Sequence, residues 1–187
     1  MTEMESMGQT SYTGQSMTLE NPGTTQPRLE REGKYLTFAM AEEEYGIGIL
    51  KVKEIVGMQD ITPIPETPEF VKGVINLRGK VIPIVDLRLR FAMAATEYNE
   101  RTCIIVVEVE ADFRTTVQIG IVVDSVSEVS NIKGNEIEDT PAFGTELNTN
   151  YILGIAKTEG SVKILLDIDS VLSGKEISSV GKFAGTS

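Results

Sequence analysis

The sequence predicts a mainly β fold, and three observations carry that expectation. Short segments rich in Val and Ile recur between turn residues, notably Lys80 to Asp86, Thr102 to Glu110 and Val117 to Asp124. Such β-branched runs suit the pleated, half-buried surface of a strand. The second observation is composition: 41% hydrophobic and 24% charged residues is the balance of an ordinary folded domain. The third is an internal repeat with preserved order, which sets the architecture.

Met1 to Gly33 contains no Val, Ile or Phe but four of the seven Met and six Thr. Such a segment buries too little apolar area to offset its ordering entropy, so residues 1–33 are expected to form a disordered tail. It has no basic stretch followed by an apolar run, so it does not read as a secretory signal. Lys34 to Met40 alternates, placing Tyr35 and residues two apart on one face of a strand. Pro63, Pro65 and Pro68 crowd an extended, edge-like linker, because proline cannot donate to a central ladder. Asp86 to Phe91 suits a short helix, with Leu87 and Phe91 four apart. Ile104 to Val107 reads as a strand buried on both faces. A second short helix is expected near Asp169, with Val171 and Leu172 inward and Gly174 as its limit. Residues 174–187 turn small and polar again and read as a flexible C-terminal tail. The body, residues 34–173, holds 13 basic and 22 acidic residues, a net −9.

The repeat is read from spacing. Gly46-Ile47-Gly48-Ile49, Val52 and Glu54-Ile55 match Gly120-Ile121-Val122-Val123, Val126 and Glu128-Val129 at an offset of 74. Thr67 to Phe70 matches Thr140 to Phe143 at 73; Gly73 to Ile75 matches Gly154 to Ala156, and Val81 to Leu87 matches Val162 to Ile168, both at 81. The second copy therefore has an insertion of about eight residues. Two copies of this size suit two small barrels, the first over about 34–100 and the second over about 101–173, with strand or helix exchange between them open. A crevice between like barrels is where binding is expected.

Composition removes several functions. With 28 Asp+Glu against 17 Lys+Arg, the net charge of −11 and pI near 4.6 have the wrong sign for nucleic acid or an anionic membrane. There is no histidine, which removes triads with a His base and imidazole switches. The single Cys103 permits no internal disulfide or multi-Cys zinc cluster, and its Ile/Val surroundings mark it as packing. Asp167 and Asp169 read as a strand end and a helix cap rather than a metal pair. No metal, cofactor or catalytic residue is expected, and the chain is expected in the cytoplasm.

Several blocks, above all Gly73-Val-Ile-Asn-Leu-Arg78-Gly79-Lys-Val-Ile-Pro-Ile-Val-Asp86-Leu87, resemble the CheW-like domain family of chemotaxis coupling proteins. Glu44 to Ile47, Ile49 to Ile55, Pro68 to Phe70 and Gly120 to Asp124 extend the likeness over residues 34–173. The resemblance implies two tandem, intertwined five-stranded SH3-like barrels with short helices. It implies no enzymatic activity, but a non-enzymatic adapter bridging transmembrane chemoreceptors and the regulatory module of the histidine kinase CheA, with self-association in array rings. CheA carries a similar module, and the chain's length leaves the stand-alone adapter. A scaffold for a non-chemotactic receptor–kinase pathway is the alternative; a barrel binding nucleic acid or a small ligand is the remote one. The family's receptor-coupling residues match Glu54 and Arg78, as a mutual ion pair, and point also to Val52 and Gly73; the kinase-binding residues stay open. Each has a plainer reading: Arg78 as a solvated turn residue, Gly73 and Gly79 as positions of positive φ or close backbone approach, Val52 and Ile55 as core.

Overall fold

The computed structural model describes residues 28–111, 115–140 and 149–173; residues 1–27 and 174–187 of the expected tails lie outside these. Strands β1 (Gly33–Met40), β2 (Glu43–Gly48), β3 (Val52–Gly57), β4 (Val71–Leu77) and β5 (Lys80–Asp86) are followed by β6 (Cys103–Glu110), β7 (Thr116–Val123) and β8 (Ser125–Ile132). Then come β9 (Ile137–Glu138), β10 (Ile152–Thr158) and β11 (Ser161–Leu166). Three single-turn helices are α1 (Arg28–Arg31), α2 (Leu87–Arg90) and α3 (Ile168–Val171). The strands form two sheets, ordered β8-β1-β2-β11-β10-β9 and β3-β6-β7-β5-β4.

Neither sheet belongs to one repeat copy. β5 pairs in parallel with β7, Ile84 opposite Gly120, and β11 pairs in parallel with β2, Leu165 opposite Gly46. Shifting Ile84 by 81 gives Leu165, and shifting Gly46 by 74 gives Gly120. Each copy thus lends a strand to the other at the same register. Both crossings are tight at the glycine: a Cβ on Gly120 would lie 2.6 Å from Ile84 Cδ1, and one on Gly46 3.0 Å from Leu165 Cδ2. Bulges repeat as well, between Val71 and Gly73 on β4 and between Ile152 and Gly154 on β10. The short β9 in the six-stranded sheet is the counterpart of a lone bridge, Thr62 to Val74, in the other; its Glu138 opposes Ile155, 81 residues beyond Val74. Five strands per sheet plus a strap describes both copies.

Three apolar clusters result. Ile75, Leu77, Ile82, Ile84, Ile104, Val106 and Val122, with Val56 beside them, draw on every strand of the five-stranded sheet. Tyr35, Ile132, Ile137, Ala156 and Leu165 do the same for five strands of the other. A sheet whose strands all meet around one cluster must be curled. The largest cluster joins the two sheets, with Phe38, Met40 and Ile47 from one packed near Ile105, Ile119 and Ile121 from the other.

Two expectations are corrected. Tyr35, Leu36, Thr37 and Phe38 are all buried, so β1 is not a one-sided strand. It lies between β8 and β2 and faces a cluster on each side. The ordered chain also begins before residue 34. Arg31 is only 4% exposed, donates from Nη1 to Leu153 O at 2.8 Å and pairs through Nη2 with Asp139 at 3.0 Å. Counting apolar residues overlooks an anchor made of one guanidinium.

Candidate functional site

Arg78 and Gly79 form the two-residue turn between β4 and β5 with φ of 52° and 85°, the doubly positive geometry that matches hairpin twist. Asn76 Oδ1 accepts the Gly79 N–H at 2.8 Å and fixes the turn. The turn aims the Arg78 guanidinium at the Glu54 carboxylate, with which it forms an ion pair and hydrogen bond. β3 and β4 are the two edges of their sheet, and flat they would lie about 19 Å apart. The pair therefore spans the ends of a curled sheet, as the expected barrel requires. Arg78 is 71% exposed and Glu54 30%.

Gly73 has a backbone role. It is buried with φ 137°, and a Cβ there would sit 2.0 Å from Thr62 O. Thr62 and Val74 exchange two backbone hydrogen bonds of 2.9 Å across it. Gly73 admits the proline-rich strap and presents no surface of its own, so its plainer reading stands. Val52 is half-buried against the central cluster, opposite Val107. Ile55, expected in the core, is 45% exposed, and Val81 on β5 equally so. On β3 the half-buried Val52, Glu54 and Val56 alternate with exposed Lys53, Ile55 and Gly57, which puts Ile55 on the outer face.

A second concavity was not legible as a site. The single 3₁₀ turn Ile49–Lys51 between β2 and β3 borders an open groove against α1, the start of β1 and α3. Leu50, at its rim, is 92% exposed. The only sequence signal is that Ile49-Leu50-Lys51 interrupts the alternation of its neighbours. Asp167 caps α3 at Ser170 N, while Asp169 pairs with Lys51 at 2.6 Å and accepts from Glu110 N at 2.9 Å.

Several other titratable groups bond within the fold. Asp124 accepts two Arg88 nitrogens at 2.9 Å and the Ala41 N–H at 2.9 Å, and the Arg88 hydrogen bonds hold its carboxyl below the usual range. Burial and a hydrogen bond to Asp86 push the Tyr98 phenol up. Burial raises the Cys103 thiol, which disfavours its thiolate. An exposed ion pair, apolar rims and strained turns are features that a binding surface offers.

Known proteins agree. Residues 34–176 match the family described as CheW-like domain. The chain is 42% identical over 151 residues to the chemotaxis protein CheW of Klebsiella aerogenes, covering 81% of this chain and 88% of that one. It is 35% identical over 141 residues to the CheW of Rhizobium meliloti, covering 75% and 88%. The crystal structure of the scaffolding protein TtCheW from Thermoanaerobacter tengcongensis superposes with a TM-score of 0.68 at 39% identity, over 78% of this chain and 95% of that one. The chain belongs to the CheW-like domain family; it is a chemotaxis coupling adapter and not an enzyme.

Proposed function

We propose that the chain couples the cytoplasmic tips of transmembrane chemoreceptors to the regulatory module of CheA, with Val52, Glu54 and Arg78 on its receptor-binding surface and Gly73 supporting that surface from beneath. It acts in the cytoplasm and is recruited to membrane-associated receptor arrays, where self-association in rings adds further contacts. An adapter that binds two partners at separate surfaces raises their effective concentration for one another. If its kinase surface responds to receptor occupancy, it also carries a coupling free energy.

One observation carries the surface assignment. Backbone register repeats between the two copies down to the bulges, but the ion pair does not. Glu128 stands where Glu54 does, each beside the matching bulge, whereas Glu159 stands at the position of Arg78 and lacks its positive φ. Glu128 instead has Lys163 of β11 at 3.7 Å, so the second copy draws its cation from a strand and not from the turn. An exposed pair is worth only about 0 to 1 kcal/mol, a weak reason to hold an arginine in a strained conformation.

The test is titration of a receptor-tip fragment against Glu54→Lys, Arg78→Glu and the double reversal. Each single variant should keep its thermal transition within about 1 kcal/mol of the native stability. Each should lose binding by an amount on the order of several kcal/mol, since like charges then meet across the interface. The double reversal should restore stability and not binding. Unchanged binding in both single variants would remove the pair from the surface and leave Val52→Asp as the next probe.

A further inference from the structure

The groove beside the Ile49–Lys51 turn has one wall that the repeat does not explain. That wall is α1 and the residues after it, a segment preceding both repeat copies, and four separate contacts hold it. Arg31 Nη1 donates to Leu153 O on β10 at 2.8 Å, and Nη2 pairs with Asp139 at 3.0 Å. The Tyr35 hydroxyl donates to Arg31 O at 2.5 Å, and Gly134 N donates to Glu32 Oε2 at 2.8 Å. Arg31 is buried so tightly that its Nε has no partner. A guanidinium is costly to desolvate, and here it anchors a single turn of helix.

What the anchor positions is charge. Glu30 and Glu32 line the groove, together with Glu110, Asp167 and Asp169, against Lys34 and Lys51, a net −3. Lys51 is already paired with Asp169. Between the carboxylates lie Ile49, Leu153 and the exposed Leu50. An apolar strip rimmed by acids complements a helical segment bearing an apolar residue with Lys or Arg one turn away.

We propose that residues 28–32 are a specificity wall of this groove: Arg31 is its positioning residue, and Glu30 and Glu32 select a basic amphipathic segment of the partner. The identity of that partner as a receptor tip rests on the function proposed above; the wall itself does not. Its charge reads sequence on the partner, while the apolar strip supplies contact area.

The experiment uses the full chain with two probes: the receptor-tip fragment, and a synthetic helical peptide with Leu and Lys spaced four apart. Variants are Glu30→Gln with Glu32→Gln, Arg31→Met, and Glu159→Gln as an exposed control on the β10–β11 turn. Glutamine keeps the oxygen that accepts from Gly134. The double Gln variant should bind the peptide about fivefold to tenfold more weakly at 50 mM salt and flatten the salt dependence. Glu159→Gln should match the native chain. Arg31→Met should reproduce the loss and raise amide exchange at residues 31–33; if it does not fold, the double Gln variant carries the test. Peptide binding that is lost in the double variant while the receptor fragment never binds would uphold the wall and sink the receptor assignment. No peptide binding to the native chain, or binding within twofold in the double Gln variant, would overturn the wall.

Discussion

At the scale of single residues, the block from Gly73 to Gly79 shows how chemistry and backbone divide the work. Arg78 and Gly79 hold the turn that aims a charge, and Gly73 makes room for another strand's carbonyl. Gly73→Ala puts a Cβ into Thr62 O while also demanding φ 137° of a residue that avoids it. It should destabilise the protein by about 2 kcal/mol or more, with the Thr62 and Val74 amides losing protection first; a thermal transition within a degree of native would contradict this. The resemblance to the CheW-like family announced Arg78, and the glycine type announced Gly73 and Gly79 as positions of positive φ or close backbone approach. The burial of Gly73 was not legible, since it depends on a strap eleven residues away in sequence. Nor was the Asp124 clasp, which joins residues 36 apart. The folded Asp124 carboxyl is held low, first by its hydrogen bonds to Arg88 and also by Ala41 N. A depressed carboxyl adds stability that is complete above its unfolded pKa of about 3.9 and disappears as pH falls through the folded value. The stability gap between the native chain and Asp124→Asn should therefore be constant from neutral pH to about 5 and narrow below about 4. A gap that widens on acidification would show the sign to be wrong.

At the scale of elements, the two short helices make the sharpest comparison between the copies. Asp86 caps α2 through Arg88 N and Leu89 N, and Asp167 caps α3 through Ser170 N. Each aspartate N–H also donates 2.8 Å to the carbonyl of an aromatic residue, Phe70 or Tyr151, which are themselves 81 apart. The first residue of each helix, Leu87 or Ile168, is 0% or 2% exposed, both in the central cluster. Leu87→Ala and Ile168→Ala should each cost about 2 to 5 kcal/mol by chemical denaturation. A loss below about 1 kcal/mol at either site would mean that the cluster refills there and that the copies are not equivalent in energy. These elements were legible because a cap and an apolar i, i+4 pair act within one turn. The two-sided burial of β1 was not, because its apparent alternation gives no hint that an apolar cluster lies on each face. The α1 anchor escaped for a related reason: Arg31 finds Leu153 and Asp139 more than a hundred residues later.

At the scale of the whole molecule, the repeat foretold two like units, and the pairing shows why they are not two independent ones. β1 and β2 lie in a sheet with β8 to β11, and β3, β4 and β5 in a sheet with β6 and β7. A chain cut between Glu100 and Arg101 leaves β5 without β7 and β2 without β11. Each fragment would expose its half of the central cluster, a loss of about 25 cal/mol per Å² of apolar surface. Sequence separation conceals this, because tandem and exchanged pairings predict the same strands from the same residues, and only long-range register tells them apart. Fragments 28–100 and 101–187 should each lack a cooperative thermal transition when expressed separately. Mixed at equal concentration they should regain the native circular dichroism spectrum, with a transition whose midpoint rises with concentration, as bimolecular assembly demands. Either fragment melting cooperatively as a monomer would show that its sheet closes without the borrowed strand. The two surfaces of the adapter would then be carried by separable units, and a receptor-binding half could be detached from the rest with its affinity intact.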